Sequence, residues 1–252
     1  ADLVRFFDGA GVPVLEGYGL TEHCAAATVN RVDDCKPGTM GRPMAGVEVR
    51  IADDGEVLLR SECVMRGYWK DDEATAKALA GAWLHTGDIG EFDGNYLRIT
   101  DRKKDVIVTA GGRAVAPKPL EAQLEASPWI AHAVVHGDRR PFLTALVTLR
   151  REHVQAWAAE NGLGGLGFDA LVCHPKVYAC VEREVQAVNA EHARPDTVRR
   201  FAILPDDFTH ESGELTATWK TRRQFVTEKY RSVLDGFYED ASTATLRLSV
   251  PG

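Results

Sequence analysis

The pattern of apolar and polar residues along the first hundred positions is that of short strands joined by glycine-rich turns. Val47, Val49 and Ile51 alternate with charged residues, a DDG turn follows at 53–55, and the apolar run EVLLR comes directly after it. Such an arrangement is typical of a β-hairpin, because successive side chains of a strand point to opposite faces of the sheet. The pattern therefore predicts a hairpin over residues 46–60.

The same part of the chain carries two further predicted elements. Residues 71–80 have the composition of a short helix, for which Asp71 or Asp72 would be the N-cap. The run GNYLRIT at 94–100 predicts another strand. Residues 37–100 are thus predicted to be mostly β-structure with many glycine turns.

After residue 101 the pattern becomes mixed. The run DVIVTAGGRAV predicts two short strands around a turn at Gly111 and Gly112. Two later runs, at 130–137 and 142–149, are almost continuously apolar, which favours strands that are buried on both faces.

Helices are predicted around these strands. Pro117 opens one helix and Gly162 ends another, as these residue types commonly do. Apolar residues at helical spacing over 177–188 predict a longer helix. A strand at 199–204 and a last amphipathic helix at 221–235 complete the series.

Together these elements predict an α+β protein. A small β-rich lobe at 1–100 is followed by a compact α+β domain at 101–240 and a tail at 241–252. The charge distribution supports this division, since residues 1–101 carry 10 Lys+Arg and 18 Asp+Glu (net −8) and residues 102–252 carry 20 and 19 (net +1). We expect the boundary to lie near Asp101.

The composition limits the class of function. The chain has 252 residues, of which 44% are hydrophobic and 27% charged, which is ordinary for a globular protein with a buried core. Its net charge of −7 disfavours a nucleic-acid partner. No apolar run approaches the roughly 18 residues of a membrane-spanning helix, and the first residues lack a signal-peptide pattern. The five cysteines and eight histidines show no metal-ligand spacing, and reduced thiols favour a cytoplasmic location.

The run GYGLTE, which begins at Gly17, combines groups that suit a nucleotide. Gly17 and Gly19 would let a ligand approach the backbone closely, and Tyr18 offers a ring that can stack on a flat base. Thr21 can donate to a phosphate oxygen, and Glu22 can hold Mg²⁺, which prefers oxygen ligands shared with phosphates. Taken alone, the run also fits a plain surface turn.

Three later features suit the sugar and a linear ligand. Asp88, in the run HTGDIG, follows a glycine at a predicted strand end, where a carboxylate can accept two hydrogen bonds from a ribose diol. An ordinary turn aspartate is the alternative. Arg102 offers five fixed donors for ribose or phosphate oxygens. Gly111 and Gly112 form either a simple hairpin turn or a path along which a narrow ligand passes the backbone.

The run GELTATWK ends at Lys220, in a polar loop before the last predicted helix. A lysine is a compact charge on a flexible stem. Beside a carboxylate that attacks a phosphate, it would neutralise the developing negative charge. An exposed lysine without a role is the alternative for any single lysine, and the flanking GELTATW pattern favours the catalytic interpretation.

GYGLTE, HTGDIG, DRKKDVIVTAGG and GELTATWK, in this order, resemble the motifs of the adenylate-forming superfamily of acyl- and aryl-CoA synthetases, luciferases and peptide-synthetase adenylation domains. Residues 55–69, 83–112 and 137–149 are similar in particular to bacterial long-chain fatty acyl-CoA synthetases. The resemblance extends to about Asp240. It implies a reaction in which a fatty acid carboxylate attacks the α-phosphate of Mg·ATP, after which the thiol of CoA attacks the acyl-adenylate.

The resemblance also implies a role for each candidate residue. Tyr18, beside Gly19, packs on adenine; Thr21 contacts phosphate; and Glu22 binds Mg²⁺. Lys220 serves the adenylation step. Thr21, Glu22 and Lys220 are therefore the candidate catalytic residues.

The remaining implied roles concern the sugar, the hinge and CoA. Asp88 and Arg102 hold the ribose hydroxyls, and Asp101 is the hinge about which the small domain rotates. The loop at Gly111 and Gly112 lines the path of the pantetheine arm. A hinge at a single boundary residue is physically reasonable, since few dihedral angles need to change.

Several family features are absent from these residues. The Ser/Thr/Gly-rich phosphate loop, most of the ATP-binding sheet and the fatty-acyl tunnel are not among them, so the resemblance implies the C-terminal part of a longer ligase. Such a part needs the rest of the large domain as its partner, and we expect little adenylation from it alone. Ala217 and Ala114 stand where the family often has Pro and Asn.

Two alternatives remain open. A fatty-acyl-AMP ligase would pass the acyl group to a carrier protein, but the insertion typical of that group is not evident between Gly94 and Gly112. A non-catalytic binding module would keep the fold without needing Glu22, Asp88 and Lys220 together. Fatty acid and CoA are the expected substrates. Contact with a membrane surface is left open.

Overall fold

The computed structural model describes residues 2–239, so the predicted tail at 241–252 lies outside the described residues. The chain divides into two compact units, residues 1–104 and the part that begins at Asp105. Asp101 and Arg102 belong to the first unit, at the end of its last strand. Helices and strands are mixed in the manner of an α+β protein, which confirms the predicted class.

The first unit is mainly β-structure, as predicted. Its elements are α1 (Asp2–Gly9), β1 (Gly17–Leu20), β2 (Ala25–Val29), β3 (Arg42–Pro43), β4 (Glu48–Ile51), β5 (Glu56–Arg60), α2 (Asp72–Ala78), β6 (Leu79–Ala80), β7 (Trp83–Asp93) and β8 (Tyr96–Arg102). Strands β1, β2 and β3 form one antiparallel sheet. In the second sheet β4, β5 and β7 are neighbours, and β6 and β8 pair with successive parts of β7.

Local patterns fix much of this unit. The predicted hairpin is β4 and β5, in antiparallel register. The predicted short helix is α2, and Asp71 is its N-cap because its Oδ1 accepts the N–H of Ala74 at 2.9 Å. A buried apolar cluster holds the sheets together; it consists of Ala27, Val57, Leu59, Leu84 and Leu97.

The second unit has a three-stranded sheet with helices on both faces. Its elements are β9 (Ile107–Val108), β10 (Ala114–Val115), α3 (Pro117–Glu125), β11 (Ile130–His136), β12 (Leu143–Leu149), α4 (Arg151–Glu160), α5 (Phe168–Val172), α6 (Pro175–Ala190), β13 (Val198–Ile203), α7 (Arg223–Lys229) and α8 (Arg231–Glu239). Strand β12 is central, antiparallel to β11 and parallel to β13. The short strands β9 and β10 pair around the turn at Gly111 and Gly112, as predicted.

The two faces of this sheet explain its nearly continuous apolar runs. Val135 and Val147 pack into the cluster that α3, α4, α5 and α6 cover. Val134 and Leu146, one residue earlier in each strand, pack into the cluster that α7 and α8 cover. Because side chains alternate along a strand, burial of both faces favours apolar residues throughout, and all seven residues of β12 are buried. Its two threonines, Thr144 and Thr148, have hydrogen-bonded hydroxyls.

One predicted element differs. The last helix was expected to run unbroken over 221–235, but the structure has α7 and α8, separated at Tyr230, whose φ and ψ are −105° and 22°. Val226 of the first helix and Leu234 and Phe237 of the second pack into one cluster. Elsewhere Gly162 follows the end of α4 with φ of +75°, as a C-terminal glycine should. Within the described residues, no helix combines the length and the hydrophobicity that a bilayer crossing requires.

Candidate functional site

A bulge in β7 carries Asp88. The sequence places this residue at a strand end, and that prediction is wrong, because β7 continues to Asp93. Glu56 pairs with Ile89 and Leu58 with His85, so three residues of β7 oppose only one residue of β5. Gly87, inside the bulge, has φ of +71°, which a glycine adopts without strain. Asp88 is the last residue of the bulge, directly before the pairing resumes at Ile89.

The structure brings three of the predicted site residues together. The hydroxyl of Tyr18 donates to Oδ2 of Asp88 at 2.7 Å, and Nε of Arg102 lies 3.1 Å from Oδ1 of the same carboxylate. Asp88 is 6% exposed, whereas the side chain of Arg102 is largely exposed. Residues 70 positions apart in sequence thus form one hydrogen-bonded cluster.

The donors and acceptors of this cluster suit the binding of hydroxyl groups. Burial, and then the hydrogen bond to Asp88, raise the pKa of Tyr18 well above its ordinary value, so its hydroxyl stays a donor at neutral pH. An ionised carboxylate has about four lone-pair sites. Tyr18 and Arg102 occupy two of them on Asp88, which leaves acceptor capacity for a ligand.

An open cleft of about 700 Å³ lies along β1 and the turn that follows it, lined by Gly17, Tyr18, Gly19, Leu20, Thr21, Cys24, Ala25 and Ala26. Gly19 has a purely internal reason to be glycine. A Cβ at this position would lie 2.1 Å from the carbonyl oxygen of Ala25, so a side chain would force β1 and β2 apart. Strand pairing alone therefore requires glycine here, and the close approach of a ligand to Gly19, which also lines the cleft, stays a prediction.

The two other residues of the GYGLTE run occupy different surroundings. Thr21 is exposed at the edge of the cleft. Glu22 is not part of the cleft lining, and its Oε1 accepts the hydroxyl of Tyr68 at 2.9 Å. Within the described residues no three His, Cys, Asp or Glu side chains cluster as a metal site. Glu22 fits Mg²⁺ only in the usual mode, in which one or two carboxylates and substrate phosphates share the ion.

The predicted hinge and glycine turn are also located. Asp101 is 3% exposed and pairs in register with Ile89, and its Oδ1 accepts the N–H of Arg102 at 2.6 Å. Gly112 has φ of +77°, and a Cβ built on it would meet nothing within 4 Å. This turn therefore requires glycine for its backbone conformation and presents an open surface.

Lys220 is exposed at the end of a tight loop in the second unit. A bridge joins Leu215 to Thr221, and the N–H of Thr216 donates to the carbonyl of Lys220 at 2.9 Å. Trp219 has φ of +61°, an uncommon conformation for a bulky residue. Lys220 lines a cavity of about 640 Å³.

Two ion pairs hold the segments on either side of this lysine. In the wall of the cavity, Arg223 contacts both carboxylate oxygens of Glu121 at 2.5 Å, and it also donates to the carbonyl of Val135 at 2.8 Å. Glu214, at the start of the loop, is 1% exposed and accepts Nζ of Lys229 at 2.5 Å. Glu214 stands inside the GELTATWK run but was not among the predicted site residues.

Glu56 is a second buried carboxylate that was not among the predicted site residues. It lies beside the bulge of β7 and contacts His85, Gly87 and Lys103, each at 2.9 Å. Lys103 also lies 2.7 Å from Oδ2 of Asp54. An acidic residue between a glycine and an apolar run, as in GEVLLR and GELTA, was the available signal for both glutamates.

The chain matches two family models. Residues 1–69 match the model of AMP-binding enzymes, and residues 104–242 match the model of the AMP-binding enzyme C-terminal domain. The second match alone extends over more than half of the chain. The chain belongs to the AMP-binding enzyme family, as its motifs implied.

Named relatives agree. The chain is 42% identical over 240 residues to a long-chain-fatty-acid–CoA ligase, FadD15, of Mycobacterium tuberculosis, with 94% of this chain and 40% of the relative covered. It is 32% identical over 265 residues to long-chain-fatty-acid–CoA ligase ACSBG1 of Mus musculus, with 95% and 37% covered. The chain thus spans about 40% of the length of these relatives.

Solved structures agree on the fold. The adenylation domain of a carboxylate reductase from Mycobacterium chelonae is 28% identical with a TM-score of 0.74, over 95% of this chain and 37% of that one. The O-succinylbenzoate CoA synthetase of Bacillus subtilis, in complex with AMP, is 22% identical with a TM-score of 0.67, over 97% and 44%. At that identity the second likeness concerns the fold alone.

Proposed function

We propose that this chain is the C-terminal part of an AMP-forming long-chain fatty acid–CoA ligase. In the reaction, a fatty acid carboxylate attacks the α-phosphate of ATP and displaces pyrophosphate, and the thiol of CoA then attacks the acyl carbon and displaces AMP. The observation that carries the proposal is the cluster of Tyr18, Asp88 and Arg102, which unites three motif residues beside an open cleft. The names of the relatives supply the substrate class.

Each proposed nucleotide-binding residue contacts the part of ATP that suits its chemistry. Asp88 has free acceptor capacity for the ribose hydroxyls, and the exposed Arg102 has donors for oxygen atoms of the ligand. The half-buried ring of Tyr18 offers a surface on which adenine stacks. Thr21 donates to phosphate, and Glu22, with the phosphates of ATP, holds Mg²⁺. The metal supplies charge neutralisation at these phosphates when bound.

The remaining roles belong to later steps. Lys220 supplies positive charge during adenylation, and its exposure leaves its ammonium group available. Asp101 acts as the hinge before the CoA step, and the open turn at Gly111 and Gly112 is the path of the pantetheine arm. The partners are fatty acid, CoA and the rest of the large domain, and the reaction takes place in the cytoplasm.

The test uses the complete protein that contains this chain. With long-chain fatty acid, we expect ATP–pyrophosphate exchange, and with CoA added, a thioester product. Asp88→Asn should lower kcat/KM for ATP by about 10- to 100-fold, since hydrogen bonds to charged groups are worth about 1.5–3 kcal/mol. Glu91→Gln, an exposed carboxylate on the same strand, is the matched control and should change little.

Each alternative has its own outcome. Exchange without a CoA thioester, but with transfer to a carrier protein, would identify a fatty-acyl-AMP ligase. Binding of acyl-adenylate without exchange would identify a non-catalytic module. Undiminished use of ATP by Asp88→Asn would refute the proposed site. The 252 residues alone should give little exchange, because the phosphate loop is not among them, and robust turnover would contradict that expectation.

A further inference from the structure

Glu56, the first residue of β5, is a buried carboxylate without an assigned role. It is 4% exposed. Its Oε1 accepts the N–H of Gly87 at 2.9 Å, and its Oε2 accepts both Nδ1 of His85 and Nζ of Lys103 at 2.9 Å. An ionised carboxylate can only accept, so all three partners act as donors.

These partners lie directly beside the two residues proposed to bind ribose. Gly87 immediately precedes Asp88, and Lys103 immediately follows Arg102. One carboxylate therefore anchors the bulge of β7 and the end of β8 at the same point. Each anchored residue is therefore the immediate neighbour in the chain of Asp88 or Arg102.

A second set of bonds reinforces the anchor on the Asp88 side. The N–H of Asp88 donates to Oγ1 of Thr86 at 3.1 Å, and this hydroxyl donates to the carbonyl of Val57 at 2.7 Å. Val57 is the residue after Glu56 in β5. The bulge is thus held to β5 by side chains where a regular ladder of backbone bonds is interrupted.

The charged and titratable groups that face Glu56 come from three elements. Asp54 lies on the hairpin turn just before Glu56 and also contacts Lys103. His85 belongs to β7, and Lys103 follows β8. Burial acts to raise the pKa of Glu56, but the hydrogen bonds from Lys103, His85 and Gly87 hold that pKa below its ordinary value. Glu56 is therefore ionised at neutral pH and keeps its accepting role.

We propose that Glu56 is a positioning residue for nucleotide binding, which fixes Asp88 and Arg102 in the arrangement that receives the ribose hydroxyls. The inference rests on the proposed function, because it assumes that these two residues bind ribose. A purely structural role for Glu56 makes a different prediction. It would lower the stability and the active fraction without changing the selectivity of the remaining sites for a ribose hydroxyl.

The experiment measures that selectivity in the complete protein. The ratio of kcat/KM for ATP to that for 2′-deoxy-ATP or 3′-deoxy-ATP reports the hydrogen bonds to each hydroxyl. We expect the wild type to prefer ATP by about tenfold or more, as is typical of a hydrogen bond to a charged group. In Glu56→Gln the preference should fall to about threefold or less, with a rise in KM for ATP that exceeds the loss of kcat.

Glu48→Gln is the matched control. Glu48 lies on the neighbouring strand β4, is exposed and pairs with Arg60, so its variant should keep the wild-type preference. Lys103→Met is the second variant, because the side chain of Lys103 is 47% exposed and its loss should leave the fold intact. We expect its preference to lie between those of Glu56→Gln and the wild type.

The outcomes separate the two proposals. If the wild type shows no preference for ATP, the ribose assignment of Asp88 and Arg102 is wrong and the inference falls with it. If the wild type prefers ATP and Glu56→Gln retains the full preference, the positioning role alone is overturned. Should Glu56→Gln fail to fold, Lys103→Met decides, and an unchanged preference in that variant rejects the role.

Discussion

The Asp88 cluster of the first unit and the Lys220 loop of the second show two ways of presenting a charged side chain. Asp88 is buried, and Tyr18 and Arg102 bond to its carboxylate. The side chain of Lys220 is exposed, although its backbone is hydrogen-bonded to Thr216 within the loop. The first arrangement restricts the carboxylate to one geometry, whereas the second leaves the lysine stem its rotamers.

Both regions nevertheless depend on the same local device. Glu56 and Glu214 each follow a glycine with positive φ, Gly55 at +83° and Gly213 at +91°, and each is almost fully buried. Each accepts a lysine ammonium group. The two glutamates differ in how closely they are linked along the chain to the proposed functional residues. Two bonding partners of Glu56 are immediate neighbours of the proposed ribose residues, whereas Glu214 stands six positions before Lys220. Tight placement suits recognition of a fixed hydroxyl pair, and looser placement suits a long cationic side chain.

The largest effect should come from Lys220→Ala. In the complete protein we expect ATP–pyrophosphate exchange to fall by about 10²- to 10³-fold, because a charge that stabilises the transition state is removed. Since Lys220 is exposed, the free energy of unfolding should change by no more than about 0.5 kcal/mol. Lys176→Ala, an exposed lysine on α6, is the control. Undiminished exchange would refute the catalytic role of Lys220.

Glu214→Gln should mainly affect stability. We expect the free energy of unfolding at pH 7 to fall by about 1–3 kcal/mol, because a buried charge-assisted hydrogen bond from Lys229 is weakened. Glu211→Gln, an exposed neighbour, should change little. Urea unfolding measures both.

The pH dependence of that effect has a definite sign. Burial acts to raise the pKa of Glu214, but the hydrogen bonds from Lys229 and Ser212 hold it below the ordinary value of 4.5. The stability that this group contributes is therefore fully present above pH 4.5 and is lost as the pH falls through the folded-state pKa. The gap between wild type and Glu214→Gln should close in acid. A gap that widens below pH 4.5 would contradict this account.

The smallest effect should come from Tyr18→Phe. The ring remains, but the hydroxyl no longer donates to Asp88, and we expect KM for ATP to rise by about two- to tenfold. Tyr96→Phe is a matched control, because the hydroxyl of Tyr96 also donates to an aspartate, Asp34, elsewhere in the first unit. An equal rise in both variants would show that the contact with Asp88 has no special part in binding.

Local patterns predicted the regular parts of the fold. The alternation before 53–55 and the apolar runs of β11 and β12 each depend on neighbouring residues, and each was confirmed. Of the two candidate caps of the short helix, Asp71 and Asp72, the structure shows Asp71. The break at Tyr230 was missed because both halves place apolar residues in the same cluster, so the apolar pattern continues across the break.

The bulge and the buried glutamates depend on remote partners. Asp88 was placed at a strand end because the register between β5 and β7 cannot be read from either strand alone. Glu56 meets His85 and Lys103, 29 and 47 positions away, and no spacing within its own run indicates them. The motif residues Tyr18 and Asp88 were identified by type, but their contact across 70 positions emerges only from the sheets.

The pairing of β1 with β2 changes what can be inferred from finding the second glycine of the GYGLTE run in a distant relative. Because Ala25 would collide with any larger residue there, Gly19 will persist wherever these strands meet, even in a descendant that has lost its substrate. A motif search that gives this glycine heavy weight therefore selects proteins that share the fold, whether or not they share the activity. Surviving chemistry is better judged from the tyrosine beside it and the aspartate that this tyrosine touches.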